Sequence, residues 1–406
     1  MLEKGFEKSL QLIRDAVTSA GILASKTEFT NYKRIWARDG IVNGLAGLIA
    51  EDELITAGLK STLLTLAKAA GAAGQIPSNV QVNQKNDIEQ ISYGGVCGRV
   101  DTISWFIIGA CHYIHFTNDR RLADVLLPAI NKGFQLLKSW EFNSRGLIYV
   151  PQSGNWADEM IFHGYILYDQ FLRLWALRLY RELFNETPHH SDIEEISALL
   201  KMNYWLKSEN SESDIIYHPR AYKNFLDKFG EPDYFLVSMT PGGYFNQFDA
   251  LSNALAVLLD IASEEQTRLL IKFGQSLLKK TSWQMIPCFH PPIRENDPEW
   301  DQLVNNHLHE FKNKPGQYQN GGVWAIINGW WGLALVKAGY IDDAHWLLNA
   351  IHRFNSTGRT GEYSWSFPEY GHADEKIQGG AQNLCWSAAG AVMLHCYLDG
   401  KRLFFG

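Results

Sequence analysis

The stretch Pro151-Gln-Ser-Gly-Asn-Trp-Ala-Asp158-Glu-Met comes directly before a long apolar segment, 164–184, and this pairing of loop and helix decides the fold. Gly154 permits a tight turn. Trp156 supplies a flat apolar surface, and Asp158 places a carboxyl group beside it. The same order, a loop rich in glycine, aromatic and acidic residues followed by a largely apolar helix, recurs along the chain.

Six such loop–helix units follow one another. Their apolar helices are predicted to begin near residues 40, 101, 164, 249, 322 and 381. Helices that are apolar on most faces belong inside a fold, and helices with one polar face belong outside. The simplest closed arrangement of six inner and six outer helices is an all-α, single-domain (α/α)6 toroid over residues 1–406. The loops before the inner helices would then converge on one face.

More amphipathic segments alternate with the apolar ones and are the expected outer helices. They are predicted at 2–24, 53–71, 119–140, from an N-cap at Ser191, at 264–280 and at 341–355. A linear helical solenoid is the alternative, but its repeats are typically about 33–47 residues long and regular. The units here are longer and uneven, and the region 282–321 is a long irregular loop. Loops of this length in a compact domain tend to be functional.

Composition and charge narrow the classes of partner. The net charge is −7 and no basic block occurs, which argues against nucleic acid and anionic membranes. Five scattered cysteines show no metal-finger spacing and favour free thiols in a reducing cytoplasm. No apolar run reaches about 18 residues, so no membrane span is expected. We predict no cofactor and no metal, and we leave open whether the chain forms a homo-oligomer. His189 and His190 are expected to form an exposed pair.

Two carboxyl groups are the leading candidates for catalysis. Asp158 belongs to the third loop, and Glu369, in Phe367-Pro-Glu369-Tyr370, belongs to the sixth. In a six-fold ring these loops lie on opposite sides of a central cavity. Two acids that face each other across a sugar-sized gap can hydrolyse a glycosidic bond, because one protonates the leaving oxygen and the other activates water. Opposed positions favour the wider carboxyl spacing of about 6.5–9.5 Å, which leads to inversion.

Other residues at the loop–helix junctions are candidates for sugar binding. Trp36-Ala-Arg38-Asp39 stands before the first inner helix, where Asp39 could bridge two hydroxyl groups and Arg38 could hold it. Arg99 and Asp101 raise the same possibility before the second. An acid in the first turn of a helix can equally be satisfied by the helix dipole. No HExxH spacing, which would indicate a metal site, occurs. His163 and His372 lie near the two acid loops and are alternative candidates for acid/base catalysis in place of the carboxyl groups.

At these residues the chain resembles the neutral/alkaline invertases and, more distantly, amylo-1,6-glucosidases and other inverting (α/α)6 glycosidases. Ser153-Gly-Asn-Trp-Ala-Asp158 is similar to that family's S-G-D-W-M-D, which implies that Asp158 is the general acid. Phe367-Pro-Glu369-Tyr370 is similar to its W-P-E-Y, which implies that Glu369 is the second catalytic carboxyl. The R-D, G-R-V, G-G-Y-F and N-G-G segments of the family match, in the same order, Arg38-Asp39, Gly98-Arg99-Val100, Gly242-Gly-Tyr244-Phe245 and Asn320-Gly-Gly322.

The chain departs from this pattern at several positions near the acids. Asn155 stands where the family has Asp, and Ala157 where it has Met. Tyr168-Asp169-Gln170 stands where the family has E-I-Q, so a Glu that contacts substrate is replaced or shifted to Asp169. These departures are compatible with glycoside hydrolysis and weaken the expectation that sucrose is the substrate.

The sequence therefore predicts an inverting glycoside hydrolase that acts on a small α-linked glucoside, either sucrose-like or an α-1,6 or α-1,4 gluco-oligosaccharide. The catalytic residues are Asp158 and Glu369. The expected substrate-binding residues are Trp36, Arg38, Asp39, Arg99, Asp101, Trp156, His163, Gln170, Tyr244 and Tyr370. The alternatives are a sugar epimerase or isomerase on the same toroid, which would use histidines, and a carbohydrate-binding protein without catalysis.

Overall fold

Roughly half of the chain is helical in the computed structural model, against about a third in an average globular protein. The structure describes residues 2–27, 31–186, 188, 193–359 and 361–406. The helices in this part of the chain are α1 (Leu2–Asp15), α2 (Ala37–Ala50), α3 (Glu53–Lys68), α4 (Asp101–Thr117), α5 (Arg120–Ser139), α6 (Leu167–Phe184), α7 (Ile193–Tyr204), α8 (Pro219–Phe229), α9 (Ala250–Leu258), α10 (Glu264–Leu278), α11 (Trp300–Val304), α12 (Ala325–Lys337), α13 (Ile341–Asn355) and α14 (Cys385–Leu398).

Six helices, α2, α4, α6, α9, α12 and α14, are the predicted inner helices, and each begins within four residues of its predicted start. They are buried on nearly all faces. Each contacts the next in chain order, and α14 contacts α2, so that their contacts form a closed cycle within the described residues. The helices approach closely where α12 crosses α14, because a Cβ atom on Gly329 would lie only 2.5 Å from the Gly390 Cα.

A second set of helices packs on the outside of this cycle, as the amphipathic pattern predicts. Helix α3 contacts α2, α5 contacts α4, α7 contacts α6, α10 contacts α9, α13 contacts α12 and α1 contacts α14. In α5, Leu122, Leu126 and Ile130 recur every fourth residue and are buried, which forms the apolar stripe of a one-sided helix. Ser191 and the pair His189–His190, on which predictions were made, lie outside the described residues.

The expectation of a purely α-helical chain is incomplete, because eleven short strands occur in the described residues. They are β1 (Val17–Thr18), β2 (Gly21–Ile22), β3 (Ile35–Trp36), β4 (Asn79–Val82), β5 (Ile88–Ser92), β6 (Tyr165–Ile166), β7 (Leu236–Thr240), β8 (Gly243–Asp249), β9 (Phe289–His290), β10 (Tyr370–Gly371) and β11 (Gln378–Gly379). All pairs are antiparallel, in the orders β1-β2, β3-β4-β5, β6-β7-β8-β9 and β10-β11.

Three segments differ from the sequence prediction. The first helix ends at Asp15, and the β1-β2 hairpin occupies the rest of the expected 2–24 segment. Helix α8 lies in a polar region that suggested no element, and it begins with Pro219 in the first turn, where the missing N–H costs nothing. Helix α11 interrupts the long 282–321 loop. Both α8 and α11 are additions to the twelve predicted helices.

Backbone pairing links the segments that come directly before the inner helices, which we call lead-in segments. The links join Ala37 N to Ser78 O, Val100 N to Gly154 O, Ile166 to Ser238, Asp249 to Phe289, Val323 to Gly371, and Cys385 N to Ala24 O. Each lead-in segment is thus joined to the next one, and the last is joined to the first. The loops before the inner helices therefore meet at one end of the helix cycle.

In the part of the chain that the structure describes, none of the helices has the length and apolar character that crossing a membrane requires.

Candidate active site

Two adjoining cavities lie among the lead-in segments. The larger, the outer cavity, has a volume of about 760 Å³ and is lined by Arg34, Arg99, Lys312, Lys314 and Arg359 together with polar and aromatic residues. The smaller, the inner pocket, has a volume of about 70 Å³. Both cavities are lined by Tyr32, Trp36, Asp158, Tyr318 and Glu369. Asp158 and Glu369, which belong to different lead-in segments, therefore border the same space.

Asp158 is held at both carboxylate oxygens. The Arg99 guanidinium forms an ion pair with Oδ2, and Gln319 Nε2 donates a 3.0 Å hydrogen bond to Oδ1. The Asp158 side chain is 27% exposed, so it reaches the cavity instead of being enclosed by Trp156. Gln319 also donates to the Trp156 carbonyl and accepts from the Glu159 N–H. This buried amide thus fixes the loop as well as its carboxylate.

Glu369 is more deeply placed and is held from two directions. Tyr32 donates a 2.6 Å hydrogen bond to Oε1, and the Ala381 N–H donates a 2.8 Å hydrogen bond to Oε2. Because Glu369 is only 5% exposed, burial raises the pKa of its carboxyl group, and the two hydrogen bonds oppose that rise. The backbone at Gly380 has φ +73°, and a Cβ atom there would lie 2.1 Å from Glu369 Oε2. Glycine is required for the chain to pass this close.

Tryptophan rings form the walls of the inner pocket. Trp156 stacks on Phe289 with ring centroids 5.5 Å apart, and it meets Trp324 edge-on at 5.7 Å and Trp386 edge-on at 6.3 Å. Tyr370 packs against Trp324 at 5.9 Å. Since each ring is fixed by its neighbours, the pocket offers rigid apolar faces beside two carboxyl groups. Such a combination suits the apolar face and polar edge of a sugar ring.

Arg38 and Asp39 also line the inner pocket, but they do not form the direct pair that the sequence suggested. Arg38 Nη1 donates a 2.8 Å hydrogen bond to Asp101, and its guanidinium lies over the Trp386 ring. Asp39 is buried, which raises the pKa of its carboxyl group, and the positive charge of Arg38 partly opposes this rise. Arg38 therefore anchors the pocket wall, and Asp39 is the acid that faces the pocket.

Four predicted binding residues lie outside the lining of both cavities: Asp101, His163, Gln170 and Tyr244. Asp101 is buried against Arg38. His163 Nδ1 is 3.1 Å from the Ile161 carbonyl. Gln170 hydrogen bonds through its amide to both backbone groups of Ile148.

Tyr244 packs edge-on against Phe225 of α8. Proximity to a motif suggested these four residues, but each side chain meets a structural partner instead.

The rival chemistry based on histidine lacks the geometry that it requires. His163 does not line either cavity, and neither does His372, whose Nδ1 accepts hydrogen bonds from the Asp374 and Glu375 N–H groups. The described residues also contain no cluster of three or more His, Cys, Asp or Glu side chains that could hold a metal ion. His309 lines the outer cavity without a second histidine in the lining, so the pair of acid/base groups that the cavities offer is that of the carboxyl groups.

Several residues of the site were not predicted from the sequence. The most important are Tyr32 and Gln319, which bind the two carboxylates, and Trp324 and Trp386, which build the inner wall. The long loop supplies one side of the outer cavity through Leu308, His309, Glu310, Phe311, Lys312, Lys314, Gln317 and Tyr318. A signal for Tyr32 exists in the sequence, because Tyr32, Arg34 and Trp36 alternate along one lead-in segment and all line the cavity.

Comparisons of sequence bear out the resemblance to neutral/alkaline invertases. No family model matches the chain. It is 23% identical to "Probable alkaline/neutral invertase A, chloroplastic" of Arabidopsis thaliana, over 98% of this chain and 70% of that protein. It is also 23% identical to "Cytosolic invertase 1" of Oryza sativa subsp. japonica, over 94% of this chain and 74% of that protein.

Comparisons of structure show that the fold is shared with solved glycosidases. The GH63 mannosylglycerate hydrolase of Thermus thermophilus matches 96% of this chain with a TM-score of 0.65 and 13% identity, and 99% of that protein is covered. A bacterial glucoamylase matches 98% of this chain with a TM-score of 0.60 and 16% identity, and 56% of that protein is covered. At these identities the structures show a shared fold. Together with the invertase relatives they support a glycosidase.

Proposed function

We propose that this chain is an inverting glycoside hydrolase that cleaves a small α-linked glucoside, with Asp158 as general acid and Glu369 as general base. The observation that carries the proposal is that these two carboxyl groups, from different lead-in segments, line one cavity beside a pocket walled by tryptophan. The inner pocket takes the glucosyl ring, and the outer cavity takes the leaving group.

The proposal includes the architecture on which the site is built. We infer a single (α/α)6 toroid over residues 1–406, of the six-hairpin type. The closed cycle of inner helix contacts and the second set of helices packed on it support this architecture. The linked lead-in segments support a site at one end of the toroid.

The hydrogen bonds of each carboxyl group fix its orientation for the role assigned to it. Arg99 and Gln319 fix the orientation of Asp158, whose partly exposed side chain can deliver a proton to the glycosidic oxygen. Burial raises the pKa of Glu369, which makes its carboxylate a stronger base toward a water molecule on the opposite face of the sugar. Tyr32 and the Ala381 N–H keep that carboxylate in place. Trp36, Asp39, Trp156 and Tyr370 shape the space around the ring.

The glucoside itself is left at the level of a class. The relatives' names contain invertase, and one structural neighbour is a glucoamylase, so sucrose-like and gluco-oligosaccharide substrates are both candidates. Asn155, which replaces the family's Asp, donates a 3.1 Å hydrogen bond to Asp169 beneath the site. The cytoplasmic location inferred from the cysteines stays a prediction. A carbohydrate-binding protein without catalysis is the alternative, and the two oriented carboxylates count against it.

The experiment is a screen for glucose release from sucrose, maltose, isomaltose, trehalose and kojibiose, followed by NMR of the first product. The expected result is release of β-glucose from one of these α-linked sugars, which reports inversion. Initial release of α-glucose would overturn the inverting mechanism. Binding by titration calorimetry without turnover of any sugar would favour the non-catalytic alternative.

A further inference from the structure

The lining of the outer cavity carries an excess of positive charge, although the chain as a whole has a net charge of −7. Arg34, Lys314 and Arg359 line this cavity, and within the described residues none of the three forms an ion pair with a carboxylate. Two acids of the lining, Glu310 and Glu369, likewise have no ion pair in the described part of the chain. The three cations outnumber these two acids, and an excess of positive charge in a cavity attracts an anion.

Two ion pairs neutralise four of the other charges of the lining. Arg99 pairs with Asp158, and Lys312 Nζ lies 3.4 Å from Glu159 Oε1 and 4.3 Å from the centre of the Tyr318 ring. These contacts assign Arg99 and Lys312 to the carboxylates of the site. Arg34, Lys314 and Arg359 are therefore the cations of the lining that are available to bind a ligand.

Arg34 is oriented by uncharged partners, which do not neutralise the positive charge of its guanidinium group. Its Nη1 donates a 3.1 Å hydrogen bond to Asn79 Oδ1, and its Nη2 donates a 2.9 Å hydrogen bond to Gln90 Oε1. A guanidinium has five N–H donors, so two amide oxygens hold the group in place and leave other donors for a ligand. Arg34 lies two residues before Trp36, so the same lead-in segment reaches both the outer cavity and the inner pocket.

We propose that the outer cavity binds an anionic leaving group, with a carboxylate or phosphate contacted chiefly by Arg34. The inference rests on the proposed hydrolase function, because the inner pocket then takes the glucosyl ring and the outer cavity takes the rest of the substrate. A guanidinium recognises a planar carboxylate or a phosphate through paired, charge-assisted hydrogen bonds. A cavity of about 760 Å³ has room for a small acid or a sugar phosphate.

The test compares substrates that differ only in this charge, with the full chain as enzyme. One pair is α-glucosylglycerate and α-glucosylglycerol, and the other is a fructose-phosphorylated sucrose and sucrose. The expected result is that kcat/KM for at least one anionic member exceeds that of its neutral partner by about tenfold or more, and falls as NaCl is raised because salt screens the attraction. The carboxylate pair and the phosphate pair distinguish the two sources of negative charge.

Neutral partners cleaved as well as both anionic ones, while glucose is released, would overturn this inference and leave the hydrolase function standing. Absence of cleavage of all four compounds and of every screened disaccharide would overturn both.

Variants assign the preference to residues. Arg34→Gln is expected to lower the ratio of anionic to neutral kcat/KM by about 10- to 100-fold, the loss typical of one charge-assisted hydrogen bond. Replacing Arg34 also removes its hydrogen bonds to the Asn79 and Gln90 side chains, so a second variant is needed. Lys314→Gln, at an exposed lysine, is expected to lower the same ratio by about two- to fivefold. Arg121→Gln, exposed on α5, is the control and should leave the ratio unchanged. An unchanged ratio in both cavity variants would overturn the assignment.

Discussion

The Tyr32 hydroxyl group donates a 2.6 Å hydrogen bond to Glu369 Oε1, although 337 positions of sequence separate the two residues. The bond joins the segment before the first inner helix to the segment before the last one. It also places a neutral donor on the carboxylate that we propose as the base. Burial raises the pKa of the Tyr32 hydroxyl above the ordinary value of a tyrosine, so the hydroxyl stays protonated and acts as a donor.

Replacing Tyr32 by phenylalanine tests this contact through the pH dependence of activity. The hydrogen bond favours the ionised form of Glu369, so its loss raises a pKa that burial has already raised. A base must be ionised to act, and the acid limb of the kcat/KM profile should therefore move to higher pH by about one unit. Tyr363→Phe, at an exposed tyrosine, is the control. An acid limb that stays in place would show that Tyr32 does not tune Glu369.

Asp158→Asn and Glu369→Gln test the two catalytic roles. Each should lower kcat on the natural glycosidic bond by about 10² to 10⁴, the usual contribution of a general acid or base. Glu375→Gln, an exposed glutamate of the same loop, is the matched control and should retain the parent activity.

Glucosyl fluoride then separates the acid from the base, because fluoride leaves without being protonated. Asp158→Asn should hydrolyse this substrate at a rate close to that of the parent protein, and Glu369→Gln should not. The opposite result would exchange the two assignments.

Asp101→Asn distinguishes a structural role from substrate binding. Asp101 is buried in an ion pair with Arg38, and removal of one partner leaves the other as an uncompensated charge. The free energy of unfolding should fall by about 3–5 kcal/mol in a urea titration. Glu194→Gln removes the exposed pair with Arg181 and should cost less than about 1 kcal/mol. A raised KM with an unchanged free energy of unfolding would instead indicate that Asp101 binds substrate.

Asp169→Asn should stabilise the protein at neutral pH. Burial raises the pKa of Asp169 well above 3.8, with a further contribution from the nearby Asp101, and its Oδ1 has no hydrogen-bond partner among the described residues. Ionisation is therefore easier in the unfolded chain, and the parent protein loses stability as pH rises from about 4 toward the raised pKa. The melting temperature of the variant should exceed that of the parent by about 2 °C or more at pH 8.

The difference between variant and parent should shrink toward pH 5, where the acid is more protonated. Asp124→Asn, on the exposed face of α5, controls for the general effect of removing a negative charge. A stability gap that does not grow with pH would contradict the proposed cost of ionising Asp169.

The inner helices could be predicted from the sequence because their apolar residues cover all faces, and no competing element has that pattern over 9–18 residues. The short strands could not. Strands such as β6 (Tyr165–Ile166) are two residues long and show no alternation, and β6 pairs with β7 (Leu236–Thr240), which is far away in sequence. Helix α8 was missed although its buried residues Ala221, Tyr222 and Phe225 stand at helical spacing, because they are few and lie in a polar stretch.

The catalytic candidates were predictable to the extent that chemistry is carried by local motifs. The loops that contain Asp158 and Glu369 each have an acid close to aromatic residues in the sequence, and the structure brings both acids to one cavity. The side chains that orient them, Tyr32 and Gln319, come from remote segments, and only the fold reveals their targets. Gln170 was predicted to bind substrate because it lies close in sequence to the Asp158 loop, but from the first turn of α6 its amide hydrogen bonds to the Ile148 backbone.

The link between Cys385 and Ala24 closes the cycle of lead-in segments, and it has a consequence for synthesis of the protein. The face of α2 that α14 covers has no cover until α14 has left the ribosome. The nascent chain must therefore hold this apolar surface in contact with water or with a chaperone until α14 has been synthesised. Glu369, the proposed base, belongs to the segment before α14, so it can face Asp158 only after that segment has also been synthesised.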